Sequence, residues 1–155
     1  MRVQLTAVGR KMPGWVADGY ADYAGRMPRE LQLELREVAA GDRGRGSDPA
    51  RPRVVEGQRL LQAAPRAGRL IALDQRGQRV DTEAVADAVR GWLQEGDDVA
   101  LLVGGPDGLD PDCVERAHER WSLSPLTLPH MLVRVLVAEQ LYRAWSLLAG
   151  HPYHR

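Results

Sequence analysis

The chain closes on HPYHR, and four of those five residues, His151, Tyr153, His154 and Arg155, carry side chains that do chemistry. An imidazole exchanges protons near neutrality, a phenol stacks and hydrogen-bonds, and a guanidinium holds anions. Chain ends usually fray and carry small polar groups. Such an ending reads as a tail that works in a site, against the plainer reading of a tail that only docks on the fold.

A second chemical anomaly precedes it. At about 100° per residue, the helix expected over 130–149 places Glu139, Gln140, Arg143 and Ser146 on one stripe, and Arg134 on the opposite side among Val137, Ala138, Leu141 and Trp145. A cation in the first helical turn opposes the helix dipole, and burying it is costly without a partner. Two readings stand side by side: an arginine snorkelling to a surface carboxylate, or one held at a subunit junction or beside a ligand. Leu132, Leu136 and Leu147 share the polar stripe, so the helix is apolar nearly all round. Such a helix is buried on more than one side, one side covering a sheet and the other meeting a second copy of the chain.

Three turns rich in Gly or Pro follow expected strands, the places where α/β proteins bind ligands. Leu73-Asp74 precedes QRG, the 98–104 strand runs into GGPDG with Gly104, Gly105 and Gly108, and LSPLTLPH (123–130) feeds the last helix. Other sites are excluded by what these turns lack. AVGRKMPG stands where a dinucleotide site would carry GxGxxG, and neither GxxxxGK[ST] nor GxSxG occurs. No paired acidic cluster or nucleophile–base set suits a nucleotide hydrolase. With one cysteine and His118 and His130 standing apart, neither a disulfide nor a metal site is expected. Cys113 reads as a half-buried structural thiol.

The elements that position these residues follow from periodicity. Strands are expected at 2–8, 31–38, 69–74 and 98–104, the last a continuous apolar run suited to a strand covered on both faces. Helices are expected at 15–26, 54–64, from Asp81 or Thr82 to about 94, from Asp110-Pro111 to about 120, and at 130–149, where Gly150 and Pro152 stop the last. The segment 41–53, GDRGRGSDPARPR, reads as a long punctuated loop, and WSLSPLTLPH as irregular. Alternation of this kind argues an α/β sheet with helices on both faces. By periodicity alone it would be an unknotted flavodoxin-like sheet, since knots are very rare.

At 155 residues the chain suits one domain with a real core. Its 21 basic and 21 acidic residues cancel, so any nucleic-acid contact must come from a local patch. All the bases but Lys11 are arginines, which reads as codon bias. No signal peptide or membrane span is expected, and the chain reads as cytoplasmic.

LLVGGPDGL (101–109), WSLSPLTLPHMLVRVLVAEQLYRAW (121–145) and HPYHR closely resemble one bacterial family, as do AVGRKMPGW near the start and the AGDRGRG loop. It is the family of small methyltransferases that act on N3 of a pseudouridine in the helix 69 stem-loop of 23S ribosomal RNA, within the SPOUT class. The resemblance implies a parallel-sheet fold with a C-terminal deep trefoil knot, a homodimer, S-adenosylmethionine as methyl donor without a metal, and rRNA in the large subunit or assembled ribosome as partner. It maps the cofactor site onto Leu73, Gly104, Gly105, Leu123, Ser124, Pro125, Leu126, Thr127 and Leu128. These are residues whose backbone, rather than side chains, would hold adenine and ribose. It also implies an essential tail. On that footing His154 would take the proton, Tyr153 would meet the base and Arg155 an anion, with His130 or Arg134 assisting. Arg43, Arg45, Arg51, Arg53 and Lys11 become candidate phosphate contacts. The alternative is a non-catalytic RNA-binding factor of ribosome assembly.

Overall fold

The computed structural model describes residues 1–44, 48, 50–66 and 68–154; Arg45 and Arg155 therefore lie outside the described residues. Five parallel strands form one sheet in the order β2-β1-β4-β3-β5: β1 Arg2–Val8, β2 Gln32–Val38, β3 Arg69–Arg79, β4 Val99–Val103 and β5 Glu119–Ser122. The helices are α1 Gly14–Ala24, α2 Ala50–Ala63, α3 Thr82–Glu95, α4 Pro111–Arg116 and α5 His130–Ala149. A short 3-10 turn, Pro152–His154, follows.

Each residue of β4 is buried, as its unbroken apolar run requires of the central strand. Side chains on a strand alternate between faces. Val99, Leu101 and Val103 join Val3, Leu5 and Ala7 in the larger core, beneath residues of α1, α3 and α5. Leu102 faces the other way, with Val8, Val38, Leu60 of α2 and Cys113 of α4. Cys113 is wholly buried rather than half-buried.

Three boundaries differ by more than two residues from the expected ones. First, α2 begins at Ala50, so Arg51 and Arg53 sit on a helix and not in a loop. Second, the helix after Asp110 ends at Arg116, and Glu119–Ser122 forms an edge strand beside β3. Third, β3 outlasts its expected end. Its pairing with β5 jumps from Leu73↔Trp121 to Gln78↔Trp121, so residues 74–77 loop out of the ladder and the strand then resumes. Asp81 caps α3 by accepting from the Ala84 N–H, as expected. Gly150 (φ 69°) ends α5, with the His151 N–H bonded back to the Ser146 carbonyl.

Candidate functional site

The three loops meet in one cleft at the carboxyl ends of β3, β4 and β5. Leu73, Gly104, Gly105, Leu123, Ser124, Leu126, Thr127 and Leu128 all line it; Pro125, in the same turn, does not. Sequence reading missed Gln75, Trp121 and Val133, which line it too. Gln75 lies in the looped-out stretch and donates to the Thr127 hydroxyl at 3.1 Å, tying the first loop to the third.

The turn after β4 is folded tightly on itself. The Gly108 N–H donates to the Gly105 carbonyl at 3.0 Å. A Cβ on Gly104 would stand 2.4 Å from the Gly108 carbonyl carbon, and one on Gly105 would stand 3.1 Å from Val8 Cγ1 and 3.3 Å from Glu56 Oε1. Gly104 leaves no room for a side chain and Gly105 little, so at these two positions the turn offers only backbone. Opposite it, Leu126 is 69% exposed, an apolar rim open to a ligand. Glycine backbone, apolar side chains such as Leu73, Leu126 and Val133, and polar ones such as Ser124 and Thr127 line the cleft together, a mixture that suits an adenosine moiety, whose ring needs edge hydrogen bonds and face contacts.

His130 opens α5 and lines the same cleft. Burial lowers its pKa, with the Arg134 and Arg43 cations acting the same way against an opposing pull from Glu56, which favours the neutral imidazole. Arg134, one turn on, is fully buried. It pairs with Glu37 at 2.6 Å and donates to the carbonyls of Val8 and Gly9 at 3.0 and 2.8 Å. Its guanidinium thus ties α5 to the ends of β1 and β2.

The tail lies at the other end of α5. None of the described tail residues 151–154 lines the cleft. The tail docks on the polar stripe of its own helix. The Tyr153 phenol donates to Glu139 at 3.1 Å, its ring meets Tyr142 edge-on at 4.7 Å, and the Arg143 guanidinium lies 5.1 Å from the ring centre. Burial, then hydrogen bonding with Tyr23 and Glu139, raises the phenol's pKa. His151 Nδ1 accepts from the Tyr153 N–H. His154 Nδ1 is buried without a partner.

Of the residues expected on phosphate, Lys11 and Arg51 are exposed and Arg53 is half-buried. Arg43 is exposed too, but its guanidinium is engaged within the fold, forking onto Glu56 at 2.7 and 2.8 Å and reaching Asp107 at 2.8 Å.

Known proteins resemble this chain along its whole length. Ribosomal RNA large subunit methyltransferase H of Alkalilimnicola ehrlichii is 60% identical over all of the chain and 99% of the relative. The protein of the same name from Hahella chejuensis is 52% identical over the same shares. Among solved structures, a probable methyltransferase from Bordetella pertussis superposes with a TM-score of 0.56 at 20% identity, covering 92% of this chain and 95% of that one. A probable methylase family protein from Haemophilus influenzae gives 0.56 at 13% identity, over 99% of this chain and 70% of that one. These two share the fold. The family model described as predicted SPOUT methyltransferase matches residues 1–154, and the chain belongs to that methyltransferase family.

Proposed function

We propose that this chain transfers a methyl group from S-adenosylmethionine to N3 of a pseudouridine in the helix 69 stem-loop of 23S rRNA. It would act in the cytoplasm on the assembled ribosome, as a homodimer with a C-terminal trefoil knot. The observation that carries the reading is the convergence of the three post-strand loops on one cleft lined in part by glycine backbone. Full-length identity to relatives named as large-subunit rRNA methyltransferases supports the RNA substrate.

S-adenosylmethionine, when bound, supplies an activated methyl on a sulfonium. What remains for the protein is to align the acceptor nitrogen and to remove its proton. The turn at 104–108 and the segment 123–128 would hold the adenosine part through main-chain groups, with Leu73 and Leu126 against its faces. The acceptor side needs a base or a cation, and the tail carries both types. Because the described tail residues dock on their own α5 and do not line their own cleft, the tail would serve the cleft of a second copy. On α5, Leu132 and Leu136 are only half-buried, which favours such a partner. His130, at the cleft and with its pKa lowered by burial, is the local alternative for the proton. Lys11, Arg45, Arg51 and Arg53 would contact phosphate.

The test is methylation with labelled cofactor on free RNA, large subunits and whole ribosomes, with the product nucleoside identified by mass spectrometry. N3-methylpseudouridine from ribosomes is expected. Cofactor binding without methylation of any substrate would favour the assembly-factor alternative.

A further inference from the structure

Glu56 is a carboxylate in the wrong place for a surface helix: it is 1% exposed. A buried charge persists only when paired and hydrogen-bonded. Here the Gly41 N–H donates to it at 2.9 Å and the Arg43 fork supplies two more bonds. Its oxygens also back directly onto Gly105, where a Cβ would stand only 3.3 and 3.4 Å from them. Arg43 does more than neutralise it. With its remaining nitrogen it grips Asp107, two residues beyond Gly105 in the same turn. Neighbouring Gly57 packs α2 against Asp110, where the turn ends: a Cβ on Gly57 would lie 2.7 Å from Asp110 Cβ.

The turn is therefore gripped from two sides, by Glu56 behind Gly105 and by Arg43 across Asp107. We propose that Arg43 is a positioning residue for the methyl-donor site, a strap through which Glu56 and Asp107 fix the 104–108 turn in its binding conformation. This assigns Arg43 a role apart from phosphate contact, and it rests on the reading of that turn as the cofactor site. Backbone recognition demands such a strap. A turn without binding side chains holds its ligand only while its N–H and C=O groups stay in place.

The test is calorimetric binding of S-adenosylmethionine and S-adenosylhomocysteine to wild type, Asp107→Asn, Arg43→Lys and the double variant, with RNA binding measured in parallel. Asp107 is partly exposed on a turn, so Asp107→Asn should fold with Tm within about 3 °C of wild type. Each single variant should weaken both ligands about tenfold, and the double variant should be no worse than the singles, the mark of one coupled unit. RNA affinity should hold. Unchanged binding in Asp107→Asn would overturn the proposal. So would a loss confined to RNA, or a loss for the sulfonium ligand alone, which would signal a field effect of charge. Wild type that takes up neither ligand would overturn the reading of the cleft and this strap with it.

Discussion

Gly105 shows how much can depend on an absent side chain. Valine there would press its Cβ between Val8 Cγ1 and the Glu56 carboxylate, at 3.1 and 3.3 Å, before its two methyls are counted. Gly105→Val should abolish S-adenosylmethionine binding, whereas Leu126→Ile, on a 69% exposed side chain, should change it by no more than about twofold. Equal losses in both, measured by calorimetry on folded protein, would contradict backbone recognition. Cys113 is the opposite case, a reactive atom kept from reacting. Burial, then the charges of Asp110 and Asp112, push its thiol pKa up to about 12. The thiolate is the nucleophile. Iodoacetamide at pH 8 should therefore leave the native protein unmodified and label it fully in denaturant, as read by mass spectrometry.

At the scale of elements, Arg134 decides how α5 meets the sheet. It holds Glu37 of β2 and the carbonyls at the end of β1 from inside the fold. Arg134→Leu strands three acceptors at once, and breaking a buried pair from one side costs on the order of 3 kcal/mol. The urea midpoint should fall with an unchanged m value; an unchanged midpoint with lost methylation would move Arg134 from scaffold to chemistry. The anomaly of this arginine was legible in the sequence, because a cation among Val137, Ala138 and Leu141 breaks the helical pattern. Its partners were not, since Glu37 lies 97 residues away. Alternation likewise marked β1 and β2, an unbroken apolar run marked β4, and Gly150 and Pro152 marked the end of α5. The strand ERWS escaped because four mixed residues show no alternation, and the 74–77 excursion escaped because nothing in DQRG separates a bulge from a turn. The cleft's loops were visible as Gly and Pro after strands. The Arg43 strap was invisible: its partners stand 13 and 64 positions off, separations that no local pattern reports.

For the whole molecule, the tail poses a problem of distance. Its side chains suit proton transfer and base contact, yet Tyr153 is held on Glu139, nine residues or about 14 Å along α5 from His130, and neither Tyr153 nor His154 lines the cleft of the same chain. Two copies packed through the half-buried apolar face of α5, running antiparallel, would bring each tail to the other's cleft. That arrangement predicts complementation. Protein lacking residues 151–155 and protein carrying Gly105→Val should each be inactive alone. Mixed and allowed to exchange subunits, they should recover up to about one quarter of wild-type activity: half the dimers would be mixed, and each would hold one site with an intact cleft and an intact tail. Mixing at a fixed total concentration and following methyl transfer to ribosomes checks this. No recovery, with subunit exchange shown by mass spectrometry, would mean that the tail serves its own chain or only secures the end of α5 through Tyr153 and Glu139.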